Sequence, residues 1–325
     1  MDKIGSFANQ NKRIKFLRFI RFIIPPIISV IILIVIFSKI NFYEVLGVIK
    51  KINLNYLSLA FLISLIGTFF IPADKWRRIL AALGYNLSYK KALFIKIGTA
   101  PTDVILPFKM GEMLKAMYLK KYYNFTIGKV LSSIIFDKTL NLWAVLILFF
   151  TYASFIHVPT SLKIFSFIFV FLSILLLKKR IWSFLHLITE KIHLPLHNFI
   201  KHLTSAFEEI NIKYNFFLLC YSVLDMLSEI IIFYILFKAL GLNIPFNFVV
   251  PYAALVVLIS SIPIVAMGIG LREASVLLLF SQFATTEVLL SIGILVSLIS
   301  HFLLRLIGLF ILPNFLARLF NSHNE

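Results

Sequence analysis

Charged side chains occur inside stretches of this chain that are too apolar to be loops. Residues 92–121 read ALFIKIGTAPTDVILPFKMGEMLKAMYLKK, which sets Asp103, Lys109, Glu112 and Lys115 among apolar residues, prolines and a glycine. Within 246–283 a second break, SSIPIVAMGIG, leads straight into Arg272 and Glu273. Glu112 and Lys115 are three apart and so share a helix face. With Arg272 they supply one acceptor and two donors, a set able to hold a phosphate and an attached cationic substituent. Asp103, Lys109 and Glu273 lie at the same breaks, and these six residues read as substrate-binding. Asp225 and Glu229 are one helical turn apart, where two carboxylates repel unless a cation comes between them. That pair suits cation or proton coupling, and it equally suits salt bridges to a Lys or Arg of the breaks. Asp137, Lys138 and Arg305 complete the buried set as coupling groups or structural pairs.

An unpaired charge at mid-bilayer costs about 2.5–3.5 kcal/mol on insertion scales. Groups of both signs in nearly equal number should therefore face one another or water. The plain alternative is that they are mutually paired struts, or interfacial groups. No nucleophile with a base, metal triad or glycosyltransferase acidic motif is recognisable. His193 and His197 have metal-ligand spacing, but Pro195 lies between them and no third ligand is near. GIGLRE follows no strand of a βαβ unit, which rejects a nucleotide loop. A helix start beside Gly268 and Gly270 could still hold a lipid phosphate with help from Arg272. No metal and no cofactor is expected.

The elements that must position these groups follow from composition. The 325 residues are 60% hydrophobic, mean hydropathy is +0.96, and apolar runs recur at lengths no soluble core helix needs. This predicts an all-α, polytopic membrane protein. The net charge of +18 gathers at the ends of apolar runs, which favours an anionic cytoplasmic leaflet and not nucleic acid. The single Cys220 allows no intrachain disulfide. The basic N-terminus precedes an apolar run at 22–37 without a small-residue cleavage site, so it reads as a retained first span.

Further spans are expected at 54–73, 127–156, 162–177, 216–240 and 288–312, with the two broken stretches as re-entrant helical hairpins and 181–211 as cytoplasmic surface helices. Lys75, Arg77 and Arg78 around Trp76 read as a cytoplasmic interfacial anchor, and Lys96 is placed on the same side. The whole chain, 1–325, is then one membrane domain of about six full spans plus two hairpins. Its halves, 1–156 and 157–325, form an inverted repeat, as in transporters. The first arm of the second hairpin is long enough to cross, which would make about eight crossings. Most Lys and Arg outside the spans then fall on one side, which puts both termini in the cytoplasm of a plasma-membrane protein.

At these residues the chain resembles the transmembrane domain family of lysylphosphatidylglycerol synthases, also found as stand-alone membrane proteins. The likeness covers nearly the whole chain. It rests on DKWRRILAALG after the second span, on P-x3-G-E-x2-K from Pro107 through Gly111, Glu112 and Lys115, on Asp137 and Lys138 leading to Asn141, and on IP followed by GIGLREA. The family more often has Arg where Lys115 stands, and a Pro-Gly-Gly run where this chain has PIVAMG. In bifunctional synthases this domain is understood to move aminoacylated phospholipid across the membrane, while a separate soluble domain makes it. The chain stops at Glu325, soon after the last span, so the resemblance implies no synthase activity here. The resemblance implies a flippase for a phospholipid, aminoacylated or not, or for another lipid-linked headgroup. The expected partners are anionic or aminoacylated membrane lipids. Alternatives are a membrane-embedded lipid-modifying enzyme, or a non-catalytic membrane partner of a separate glycosyltransferase or synthase.

Overall fold

The computed structural model describes residues 34, 42–102, 111–155, 161, 164, 168, 209–262 and 268–320. Apart from residues 34, 164 and 168, the expected spans at 22–37 and 162–177 lie outside the described residues, as do the surface helices at 181–211 up to residue 208, Asp103, Lys109, His193 and His197. Among those described, the regular elements are all helices. Four helices are long and apolar enough to cross a membrane. They are α2 (Leu54–Ala82), α5 (Ile127–Tyr152), α6 (Ile212–Ala239) and α9 (Thr286–Phe310). The protein is a multi-pass helical membrane protein. Shorter elements stand between these: α1 (Phe42–Lys50), α3 (Tyr89–Thr99), α4 (Gly111–Tyr123), α7 (Phe246–Ser260), α8 (Leu271–Leu279) and α10 (Leu312–Phe320).

Two of the long helices start and stop by the same local rules. Asn53 accepts from the backbone N–H groups of Asn55 and Tyr56 at 3.0 and 3.4 Å at the start of α2. Asn211 accepts from Lys213 N–H at 3.0 Å at the start of α6. Each side-chain oxygen satisfies donors that the first turn leaves open. Gly84 and Gly241 follow the two helix ends with φ of 86° and 81°, a left-handed conformation glycine adopts without penalty. After α2 the chain breaks into the short pair α3 and α4, and after α6 into the pair α7 and α8. Each pair precedes the next long helix, α5 or α9.

The core lies where α5, α6, α7 and α9 meet, around Phe233, Phe237, Val250, Ala254 and Phe280. On α2, Leu59, Leu62, Ile66 and Phe70 stay exposed. Their spacing makes an apolar stripe along one side of a helix long enough to span, the side that lipid covers. Both α2 and α9 contain a π-helical stretch, Ile66–Phe70 and Ser297–Leu303. The two helices are joined beside these stretches by Ser64 Oγ donating to Ser300 Oγ at 2.9 Å. Gly308 on α9 lets the end of α3 approach closely, because a Cβ there would collide with the Ile97 carbonyl and the Pro101 ring.

The helix that carries the span expected at 54–73 continues to Ala82. The basic cluster thought to sit in the interface is therefore carried on an unbroken helix. Arg77 and Arg78 project from it and close on Asp74. Lys75 and Trp76 turn inward and are buried.

Candidate functional site

Lys75 sits at the centre. Its side chain is 0% exposed, with Nζ 2.7 Å from Asp225 Oδ2 on α6 and 2.9 Å from Asp137 Oδ1 on α5. It also donates to Asn141 Oδ1, one turn further along α5. The reason is the helix face: Trp76, Ile79, Leu80 and Leu83 form the buried stripe of this part of α2, and Lys75 lies on it, four residues before Ile79. Trp76 Nε1 donates to Ser133 Oγ at 3.1 Å, which pins α2 to α5 just beside the ion pairs. A buried ammonium needs such partners, since leaving one unpaired costs several kcal/mol.

The charges continue from there in alternating order. Asp137 Oδ2 is 3.8 Å from Lys138 Nζ, Lys138 Nζ is 3.5 Å from Glu112 Oε1, and Glu112 Oε2 is 2.6 Å from Lys115 Nζ. Lys115 Nζ also stands 5.5 Å from the centre of the Trp76 ring. Thus Asp225, Lys75, Asp137, Lys138, Glu112 and Lys115 form one line of alternating sign across α6, α2, α5 and α4. Glu112 and Lys115 pair with each other, as their spacing on one helix face predicts.

Beside this line is a cavity of about 150 Å³ walled by the cations Lys96, Lys138 and Arg305 and the acids Asp137, Asp225 and Glu229. Asn141, Ser300 and His301 add neutral polar atoms to the wall. His301 Nε2 is 3.6 Å from Glu229 Oε1, longer than a hydrogen bond. Arg305 Nη1 donates to the His301 carbonyl at 2.7 Å. Asp225 and Glu229 therefore share a helix face, as expected, and the structure separates their partners: Asp225 takes Lys75, while Glu229 faces His301.

Arg272 and Glu273 form a second polar cluster on α8. Both are buried, and neither is among the cavity-lining residues. Arg272 Nη1 donates to Ser297 Oγ at 2.9 Å, Ser297 Oγ donates to Glu273 Oε1, and Glu273 Oε2 accepts from Gly270 N–H at 2.6 Å. The start of α8 is thereby tied to the π-helical stretch of α9. The structure thus unites Glu112 and Lys115 with Asp137, Lys138 and Asp225, brings Glu229 and Arg305 to the same cavity, and ties Arg272 and Glu273 to Ser297 of α9. A wider, open cleft of about 320 Å³ lies at Phe70, Asp74, Arg77, Tyr89 and Tyr221. Its charges are already closed on one carboxylate, since Asp74 accepts from Arg77, Arg78 and Tyr221 at 2.5, 2.6 and 2.9 Å.

Sequence reasoning missed Lys75, Lys96 and His301. Lys75 was legible in principle, because the apolar stripe of its helix includes its position while Arg77 and Arg78 fall off it. Lys96, counted in the sequence only as a cytoplasmic charge, reaches the cavity wall from the last turn of α3. His301 sits in a π-helical stretch, where regular helical spacing does not report which way a side chain faces.

Comparison with known proteins adds a family. Residues 22–308 match the family model described as "Lysylphosphatidylglycerol synthase TM region". A stretch of 127 residues, 38% of this chain, is 26% identical to the UPF0104 membrane protein MJ1595 of Methanocaldococcus jannaschii. That match spans 37% of the relative's length.

Proposed function

Because the chain belongs to the lysylphosphatidylglycerol synthase transmembrane-region family, we propose that it carries a lipid headgroup between membrane leaflets through the polar cavity while the acyl chains stay in the bilayer. The observation that carries this reading is the line of alternating charges from Asp225 to Lys115 beside a cavity walled by Lys96, Lys138, Arg305, Asp137, Asp225 and Glu229. A headgroup moving along such a wall exchanges one ion-pair partner for the next and is never held by a single charge in apolar surroundings. The order of long helix, broken pair and long helix in each half supports an inverted repeat with the two broken pairs as re-entrant hairpins. On this reading the plasma membrane is the site of action, with both termini cytoplasmic. The carboxylates serve as ion-pair partners and not as catalytic bases, and a separate synthase or glycosyltransferase makes or uses the lipid.

The test is reconstitution of the purified protein into vesicles with a leaflet-selective assay of headgroup exposure. Headgroups should cross faster than in protein-free vesicles, and Glu112→Gln and Lys138→Ala should each abolish that gain while the protein stays folded. Equal rates with and without protein would refute the proposal.

A further inference from the structure

Two guanidinium groups share one carboxylate at the open cleft beside α2, and that carboxylate does not use them up. Arg77 gives Asp74 Oδ1 its Nε and Nη2, at 2.9 and 2.5 Å, and keeps Nη1. Arg78 gives Asp74 Oδ2 only its Nε, at 2.6 Å, and keeps both terminal nitrogens. Among the described residues no second acid pairs with either arginine. Asp74 is also the more deeply placed: its side chain is 16% exposed, against 31% for Arg77 and 36% for Arg78. An approaching group therefore meets guanidinium before carboxylate. The donors are held in place, since the Arg78 guanidinium carbon stands 5.4 and 5.8 Å from the ring centres of Phe217 and Tyr221 on α6. Groups fixed before binding lose little freedom on binding. From α3, Tyr89 lines the same cleft with a hydroxyl that has no hydrogen-bond partner among the described residues.

The rest of the wall is apolar. Phe70 and Ile71 complete the cleft, and Phe70 is the last member of the exposed stripe Leu59, Leu62, Ile66 and Phe70 that lipid covers. Asp74 and Arg77 follow Phe70 by four and seven residues, on the same helix face. One face of α2 thus passes from a surface for acyl chains to a pair of fixed guanidinium forks, which phosphate oxygens fit bidentately. A soluble anion would engage only the charged half of that face, and a phospholipid engages both. Arg77, Arg78 and Asp74 sum to one positive charge, so an anionic headgroup is favoured over a zwitterionic one, whose own cation the arginines repel. No residue that lines this cleft lines the polar cavity. We propose that the cleft between α2, α3 and α6 binds one anionic phospholipid, its phosphate on Arg77, Arg78 and Tyr89 and an acyl chain along the exposed stripe of α2. This lipid is held at the surface of the helix bundle whether or not a headgroup moves through the cavity.

Cys220, the single cysteine, is exposed and precedes Tyr221 on α6, so a fluorophore attached to it reports from beside the cleft. The labelled protein is reconstituted into phosphatidylcholine vesicles in which a rising fraction of either phosphatidylglycerol or phosphatidylcholine carries brominated, quenching acyl chains. Quenching should show phosphatidylglycerol preferred about fivefold over phosphatidylcholine, the effect of one excess cation near a membrane surface. Arg77→Gln and Arg78→Gln each remove that charge, leave Asp74 its other arginine, and should abolish the preference. Tyr89→Phe repeats the test without touching an ion pair and should lower it. Lys120→Gln, which removes the same charge from an exposed position on α4, should keep it. Millimolar glycerophosphoglycerol in the buffer should not displace the lipid; displacement assigns the cleft to a soluble phosphodiester and overturns the lipid. Equal quenching by both lipids, a preference that survives in all three cleft variants, or one lost equally in Lys120→Gln overturns the site.

Discussion

Lys75 has no contact with solvent and two carboxylates within ion-pair distance, so what it contributes depends on which partner is removed. Lys75→Met strands Asp137 and Asp225 as adjacent buried acids and should lower stability by about 3–5 kcal/mol. The triple variant Lys75→Met, Asp137→Asn, Asp225→Asn removes all three charges and should recover most of that loss, since an apolar or neutral replacement of a buried ionic cluster is often nearly neutral. Thermal unfolding in detergent checks both. If the triple variant is no more stable than the single, the three residues do not act as one unit. The acids of this cluster could be picked out of the sequence because a carboxylate in an apolar run is conspicuous. The lysine could not be picked out so easily, because it stands next to Arg77 and Arg78 and a run of basic residues after a span is the usual mark of the membrane surface. What separated Lys75 from its neighbours was its angular position on the helix, which only the continuation of α2 to Ala82 makes plain.

The element that sets this angle is the π-helical stretch Ile66–Phe70. A π turn holds one residue more than an α turn, and one residue corresponds to about 100° of rotation on a helix of 3.6 residues per turn. Deleting Thr68 should therefore turn Lys75 away from Asp137 and Asp225 and sharply reduce the amount of folded protein. Inserting one Ala after Phe70 in the same variant restores the count before Lys75 and should restore folding. Fluorescence-detected size exclusion of the two variants decides the matter, and equal profiles would show that the stretch does not set the register. The long helices were legible through their unbroken apolar length, whereas the Asn caps and left-handed Gly residues that bound α2 and α6 were not read from the sequence. The π-helical stretches left no trace in it, because an inserted residue changes hydrogen-bond spacing without changing composition.

For the molecule as a whole, composition alone was enough for the all-α membrane class, and each of the four long helices overlaps a stretch that hydropathy marks, at 54–73, 127–156, 216–240 or 288–312. Two things were not legible: the charges of the two halves form one line, and Arg272 and Glu273 brace α8 against α9 without reaching the cavity. Both depend on which helices touch, and no local pattern in this chain encodes that. The joining of the halves through Lys75 and Asp225 has a consequence for how the protein is made. The two residues are 150 positions apart in the chain, and at about 5–20 residues per second a ribosome takes roughly 8–30 s to get from one to the other. Asp137 emerges in between, so the newly inserted first half holds Lys75 with a single acid until α6 arrives. During that interval the lysine has one of its two final counter-charges, and the nascent chain meets the membrane with an open position that only its own later synthesis fills.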